Sequence, residues 1–412
     1  MNEELFNRVA KRIDGYQALM IELQTELTAL PALSPENGGE GELKKAEYVK
    51  KWLENLTVDE LIEVDAPDGR VPSSVRPNLL VKFNGKKREK TIWLMSHLDV
   101  VPPGERNLWD SDPYEVVVKD GKLFGRGVED NQQGLVASLL AVKALQDENI
   151  APNYDVGLAI VADEETGSRK GLQYVLETNA ESFRKDDLII IPDAGNGDGT
   201  MIEVAEKSIY WIKFQILGKQ CHGSTPEVGI NAHKAGANLI VKLNALYDIY
   251  NAFDSVFEPP ISTFEPTKKE ANVPNVNTIP GEDIFYFDCR ILPHYKLDKV
   301  DKKVRQLADE IESEFGVRVN ISSLQREEAA PATPVDAPVV KALEKAILTV
   351  HKKQPKSVGI GGGTVAAYFR KAGLNAAVWS TLDELAHQPN EYCVIDNLIK
   401  DTKVFAHIFL QD

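Results

Sequence analysis

Val156-Gly157-Leu158-Ala159-Ile160-Val161-Ala162-Asp163-Glu164-Glu165-Thr166-Gly167 decides how this chain is read. The run Val156 to Ala162 is apolar and has a strand's length, and Gly167 then breaks the chain. A buried strand does not normally end in three consecutive acids unless something positive waits there. Successive strand positions point to opposite sides, so Glu164 and Glu165 can do different jobs. One could bind a metal while the other moves protons. Alone, the segment reads as a solvated acidic turn, and the rest of the chain shifts that reading.

The chain has 412 residues, beyond the roughly 250–300 that one core supports, so two domains are expected. Its 43% hydrophobic and 27% charged content is that of a soluble globular protein. The formal charge of −16, from 63 acids and 47 bases, disfavours nucleic acid and anionic membrane partners, both of which call for basic patches. Cys221, Cys289 and Cys393 lie far apart with no CxxC pair, so a reducing cytoplasm is the expected compartment. Met1-Asn2-Glu3-Glu4-Leu5 lacks the basic start and apolar core of a signal peptide. No apolar run nears the roughly 20 residues of a membrane span.

Working outward, Leu5, Val9, Ile13, Tyr16, Met20, Leu23 and Leu27 predict one helix from Leu5 to Leu30. A second helix is predicted from Glu42 to Leu56. Strands follow at 61–64, 78–83 and 91–98, with a hairpin about Asp120-Gly121. A helix over 131–145 and strands over 154–162 and 187–191 complete an α/β pattern with helices flanking a sheet. From Lys207 the pattern changes: strand 208–217, helix 233–250, strand-rich 277–292, helix 300–315 and strand 317–324. After Ala329-Ala330-Pro331-Ala332 the α/β character returns. The expectation is a catalytic domain of residues 1–206 and 329–412 with a second domain, 207–328, inserted into it.

The chemistry gathers at strand ends. His97-Leu98-Asp99 closes the strand ending at Leu98, and at i and i+2 both side chains face one way. Asp99 can therefore orient His97 from behind, as groups outside a metal's own ligands do; a satisfied strand-end histidine is the plain alternative. Asp130 precedes the helix and follows Gly125-Arg126-Gly127, which reads as an N-cap or as a carboxylate carried into a crowded centre. Asp193 follows Leu188–Pro192. Open α/β sheets bind ligands outside the carboxyl ends of their strands, so His97, Glu164, Glu165 and Asp193 arrive at one rim by one rule. Among seven histidines, His387 in the loop Asp383–Glu391 is the best further nitrogen ligand. His351 and His407 look structural, His294 lies in a turn and His233 opens a helix.

With these residues in view, the segments Ser96-His97-Leu98-Asp99-Val100-Val101-Pro102, Gly125–Asp130, Asp163–Ser168, Pro192-Asp193 and Ala386-His387 resemble the M20 family of dinuclear metallohydrolases. That family includes aminoacylases, succinyl-diaminopimelate desuccinylases, acetylornithine deacetylases, carboxypeptidases and dipeptidases. The resemblance runs through the whole chain in order. It implies a mixed central sheet flanked by helices, with a smaller ferredoxin-like α+β domain acting as lid and dimerisation unit. It further implies that His97, Asp130 and Asp193 hold one metal, and Asp130, Glu165 and His387 the other. Two zinc ions suit this imidazole–carboxylate set, with cobalt or manganese as alternatives.

The reaction implied is hydrolysis of an amide in a small N-acyl amino acid or dipeptide, by a hydroxide bridging the metals, with Glu164 as general base. His222, in Cys221-His222-Gly223-Ser224-Thr225-Pro226, resembles the lid histidine that stabilises the oxyanion; a polar turn histidine is the alternative. Asn277 and Arg290 resemble substrate-facing lid residues, Arg290 gripping a carboxylate or merely a surface acid. Gly361, Gly362 and Gly363 precede a helix, where backbone N–H groups could cradle a carboxylate or simply turn the chain. Their spacing is not that of a nucleotide loop. A homodimer through the inserted domain is expected. A non-catalytic metal-binding scaffold on the same fold is the reading from another class.

Overall fold

The computed structural model describes residues 3–412; Met1 and Asn2, which begin the N-terminal stretch read above, lie outside the described residues. The chain forms two compact units. One comprises the chain up to Val204 with Thr333–Ser357 and Tyr368–Asp412; the other comprises Ala205–Ala332 with Val358–Ala367.

In the first unit the deciding run becomes the strand Tyr154–Val161, buried at every position. It pairs in parallel with Lys87–His97, that strand with Leu188–Gly195, and that one with Ala376–Ser380. Central parallel strands are covered on both faces, which is why these read as continuous apolar runs and not as alternating ones. Gly157 interrupts the run because a Cβ there would lie 2.3 Å from the Trp93 ring on the neighbouring strand. Antiparallel strands Leu79–Phe83 and Glu60–Glu63 extend one side. Met201–Glu206 and Lys356–Ile360 complete a mixed eight-stranded sheet on the other. Helix Gln132–Asp147 packs against Ile395–Phe409.

The predicted helix Leu5–Leu30 is in fact two, Glu3–Asp14 and Gln17–Thr28. Gly15, a poor helix former, sits in the break, where the Gly15 and Tyr16 N–H groups bond back to the Arg12 and Ile13 carbonyls. The apolar stripe survives the break, with Val9, Ile13, Met20, Leu23 and Leu27 all buried. The hairpin about Asp120-Gly121 joins Val117–Lys119 to Lys122–Phe124, with φ of 49° and 75° at its two turn residues, the left-handed pair that such a turn requires.

The second unit contains a four-stranded antiparallel sheet in the order Thr263–Lys269, Glu282–Ile291, Ser208–Leu217, Arg318–Glu327. Tyr210, Ile212, Phe214 and Ile216 alternate inward along the third of these and share one core with helices Ala232–Leu243 and Leu297–Phe315. Phe214 stacks on Phe285 at 4.9 Å between ring centres. The predicted helix 233–250 is divided at Asn244, whose N–H bonds the Val241 carbonyl in a tight turn, and resumes as Ala245–Ile249. The strand Thr263–Lys269 was not anticipated. Among the described residues no helix is long and apolar enough to cross a membrane.

Candidate metal centre

Four adjacent parallel strands send their carboxyl ends to one rim of the first unit. His97 is the last residue of Lys87–His97. Asp193 lies near the end of Leu188–Gly195. Glu164 and Glu165 sit in the short turn Glu164–Thr166 after Tyr154–Val161, launched by Asp163 at φ 61°. His387 lies in the loop that follows Ala376–Ser380.

The His97 ring is buried, and its two nitrogens face opposite ways. Nδ1 lies 3.0 Å from the Asp99 carbonyl and 3.5 Å from the Asp99 carboxylate. With Nδ1–H donating there, the Nε2 lone pair faces Asp130 Oδ1 at 3.0 Å and Asp193 Oδ1 at 3.4 Å. Asp130 turns its second oxygen, Oδ2, to His387 Nε2 at 3.5 Å, while His387 Nε2 is 2.9 Å from Glu165 Oε2. The Glu164 carboxylate groups with His97 and Asp193, their ligand atoms all within 4.8 Å of one another. His97, Asp130, Glu164, Glu165, Asp193 and His387 are thus brought together. Asp130 does not cap the helix; Asn131 precedes it, and no side chain closes that end.

These donors fit a pair of divalent cations. Zinc–ligand bonds of about 2.0–2.1 Å in a tetrahedron place neighbouring donor atoms about 3.3 Å apart, close to the separations across this cluster. The donor set also has the charge for it. Burial raises Glu164 well above the usual carboxylate range, with the Asp193 charge adding to it, and pushes Glu165 up to about 7. Cations at the centre would oppose both effects. Burial also works against the Asp130 anion, but the His387 and His97 imidazoles, when they carry a proton on the nitrogen that faces it, overcome it and hold that carboxyl low.

The Asp99 carboxylate has a task that the sequence did not reveal. Its two oxygens accept the Glu164 N–H at 3.1 Å and the Glu165 N–H at 3.0 Å, which fixes the turn carrying both acids. Asn131 was also missed. Its amide donates to the Pro192 carbonyl at 2.6 Å and to Asp193 Oδ1 at 2.7 Å, tying that carboxylate to the helix start. An asparagine before a helix reads as a cap, so no signal set it apart. Glu129 and Glu391, also not singled out, grip backbone N–H groups around Asp130 and His387.

The remaining predicted residues belong to the second unit. His222 pairs with Thr278 in a two-stranded ribbon, and the Gly223 N–H donates to the Asn277 carbonyl at 2.6 Å, so His222 and Asn277 are neighbours. His222 is exposed, with Nδ1 2.7 Å from Ser224 Oγ. Arg290 spends Nε and Nη2 on Asp288 and donates from Nη1 to the Gly361 carbonyl at 2.8 Å. A Cβ at Gly361 would meet no atom within 4 Å, and at Gly362 or Gly363 only ordinary contacts. The Thr364 N–H and hydroxyl are both taken by Glu206.

Residues 93–411 match the model of peptidase family M20/M25/M40. A metallohydrolase of Methanocaldococcus jannaschii, itself named as uncharacterized, is 44% identical over 94% of this chain and 98% of its own. A succinyl-diaminopimelate desuccinylase of Nautilia profundicola is 26% identical over the same shares. Among solved structures, human carnosine dipeptidase 1 shares the fold with a TM-score of 0.73, at 20% identity over 98% of both chains. The scaffold reading therefore gives way to that of an enzyme acting on amide or peptide bonds, and the chain belongs to peptidase family M20/M25/M40.

Proposed function

We propose that this chain is a dinuclear metal-dependent hydrolase that cleaves the amide bond of a small N-acyl amino acid or dipeptide. The observation that carries the reading is the Asp130 carboxylate, with Oδ1 on His97 Nε2 and Oδ2 on His387 Nε2. A carboxylate with one oxygen toward each of two imidazole nitrogens could serve two ions at once. His97, Asp130 and Asp193 would hold one ion and Asp130, Glu165 and His387 the other. Zinc suits the donor set best, and cobalt and manganese are also accommodated. When bound, the ions supply acidification of water and polarisation of the scissile carbonyl.

Glu164 then serves as general base, taking the proton of the attacking water and returning it to the departing nitrogen. Its backbone N–H is pinned by Asp99, so the carboxylate swings from a fixed point. His222 donates to the tetrahedral oxyanion. Asn277 faces the substrate, and Arg290, once it leaves Asp288, and Gly361–Gly363 meet the substrate's carboxylate. The open space beside the three glycines supports this, since neither packing nor a positive φ within the chain calls for glycine there. Residues 1–206 and 329–412 would form the catalytic domain and 207–328 the lid, except that Val358–Ala367 clusters with the second unit. A homodimer through the lid is supported by Arg318–Glu327, a sheet-edge strand whose Leu324 is 63% exposed.

The test is a panel of dipeptides, N-succinyl and N-acetyl amino acids, assayed in parallel with zinc, cobalt and manganese. One class should be turned over well above the metal-free control. Glu164→Ala should retain both ions and lose about 10²–10⁴-fold in kcat. Normal turnover by that variant would remove Glu164 from the mechanism.

A further inference from the structure

Two buried carboxylates outside the proposed ligand set, Glu129 and Glu391, each reach onto the loop that carries the other. Glu391 follows His387 in its loop, yet its oxygens serve the Asp130 loop. Oε2 accepts from Arg126 Nη1 at 2.7 Å and the Gly127 N–H at 2.9 Å; Oε1 accepts from the Glu129 N–H at 2.9 Å and the Asp130 N–H at 3.1 Å. Glu129 directly precedes Asp130, yet its oxygens serve the His387 loop, accepting from the Asp383 N–H at 2.7 Å and the Leu385 N–H at 2.6 Å. Both side chains are shut away from solvent.

Each carboxylate lies against a run of N–H groups that includes a left-handed residue, Gly127 at φ 86° in one and Glu384 at φ 59° in the other. Backbone kinked in this way turns successive N–H groups toward an anion. The His387 loop has further strain to contain, because His387 at φ 66° and Asn390 at φ 57° are also left-handed non-glycine residues. Such residues are held against their backbone preference and persist only where their surroundings over-determine them. The loop thus holds a shape it would not keep alone, and the Glu129 carboxylate reaches it from the neighbouring ligand loop.

We propose that Glu129 and Glu391 are positioning residues that set the separation of Asp130 and His387, so that the second ion binds only while both clasps are closed. This rests on the ligand assignment proposed above. The two acids have unequal reach. Glu129 holds only the His387 loop, so its loss weakens the ion bound by Asp130, Glu165 and His387 alone. Glu391 holds the N–H of Asp130, the shared ligand, so its loss weakens both. Glutamine cannot substitute at 391, because both oxygens already accept two hydrogen bonds and an amide NH2 would face two donors.

The experiment titrates metal-free full-length protein with Co²⁺, following heat and visible absorption. The wild type should bind two ions per chain. Glu129→Gln should keep one at wild-type affinity and bind the other about 10–100-fold more weakly, in the range typical of groups that orient metal ligands. Glu391→Gln should weaken both; if it does not fold, Glu129→Gln carries the test. Val304→Ala, a core truncation in the second unit, lowers stability without touching either clasp and should leave both affinities unchanged. Two unaltered affinities in Glu129→Gln, or an equal drop in both that Val304→Ala reproduces, would overturn the proposal. A wild type that binds fewer than two ions would instead overturn the ligand assignment, and the proposal with it.

Discussion

Replacing Asp99 with asparagine isolates the turn that carries both glutamates from the histidine beside it. The wild-type carboxylate accepts one N–H on each oxygen, from Glu164 at 3.1 Å and Glu165 at 3.0 Å. Bonds to a charged acceptor contribute about 1.5–3 kcal/mol each, a neutral one about 1, and a buried N–H left unpaired costs about 1–3. Asparagine keeps one acceptor and turns an NH2 toward the other donor. Allowing for the easier burial of a neutral group, the net loss is roughly 2–4 kcal/mol, or roughly 30- to 700-fold in the population of the competent turn. His97 should be spared, because its Nδ1 partner at 3.0 Å is the Asp99 main-chain carbonyl, which the substitution keeps. Asp99→Asn should therefore lose kcat/KM by one to three orders of magnitude. The ion proposed at Glu165 should weaken more than the one proposed at His97. Stopped assays on the best substrate of the panel, with a metal titration of the same variant, give both numbers. A variant with kcat/KM within threefold of wild type, or one whose His97-side ion is lost first, refutes the reasoning.

Away from the centre, His407 predicts an acid-side loss of stability. Burial pushes its imidazole down to about 4, with Lys345 and Lys352 adding to the effect. The unfolded chain, near 6.5, therefore takes the proton first. This contribution is undiminished above pH 6.5 and is lost as pH falls from 6.5 toward 4, by about 2 kcal/mol at pH 5 and roughly 3 at the limit. Denaturant midpoints of wild type and His407→Leu at pH 7.5 and 5.0 should diverge by that slope, and parallel curves would discount the histidine. Two glycines make a matched pair. A Cβ at Gly195 would lie 1.7 Å from the Ser380 carbonyl on the adjacent strand, so Gly195→Ala should cost at least about 3 kcal/mol by overpacking. Gly361→Ala meets nothing within 4 Å and should leave Tm unchanged while raising KM if a substrate carboxylate lies there. An unchanged KM would remove Gly361 from the substrate contacts.

The central strands were legible because a strand buried on both faces cannot hide its apolar run, and the loops at its end inherit their place from the parallel ladder. Thr263–Lys269 was not legible, for a physical reason. It is a sheet edge, with a bulge beside Pro266 and lysines at 268 and 269, and an edge strand tolerates proline and surface charge where a central one does not. Those same residues carry no apolar alternation that marks a strand. The break at Gly15 was missed because the buried stripe continues across it. In the candidate site, histidines and acids at strand ends could be found by position. Glu129, Asn131 and Glu391 could not, since they act on main-chain N–H and carboxylate groups from loops up to hundreds of residues apart. Such bonds leave no periodicity and no residue pattern on the partner side.

How two adjacent glutamates come to face different neighbours follows from the turn that holds them. Were Glu164 and Glu165 in the strand, their side chains would project to opposite faces of the sheet and could not share a site. The strand stops at Val161, and Asp163 enters the left-handed region at φ 61°, turning the chain before either acid is reached. Asp163 is held in that conformation by its own carboxylate, which accepts from the Thr166 hydroxyl at 2.5 Å and the Lys170 N–H at 2.8 Å. The buried Arg76 guanidinium stands 3.5 Å away. Beyond that bend Glu164 comes to His97 and Asp193, and Glu165 comes to His387 at 2.9 Å. Both N–H groups end on the one carboxylate of Asp99, so the two acids are registered to each other and to His97 by the same residue. In the roles proposed above, a base and a ligand one residue apart would need that arrangement, because a carboxylate that moves a proton would have to stay clear of the ion its neighbour binds while keeping a fixed distance from it.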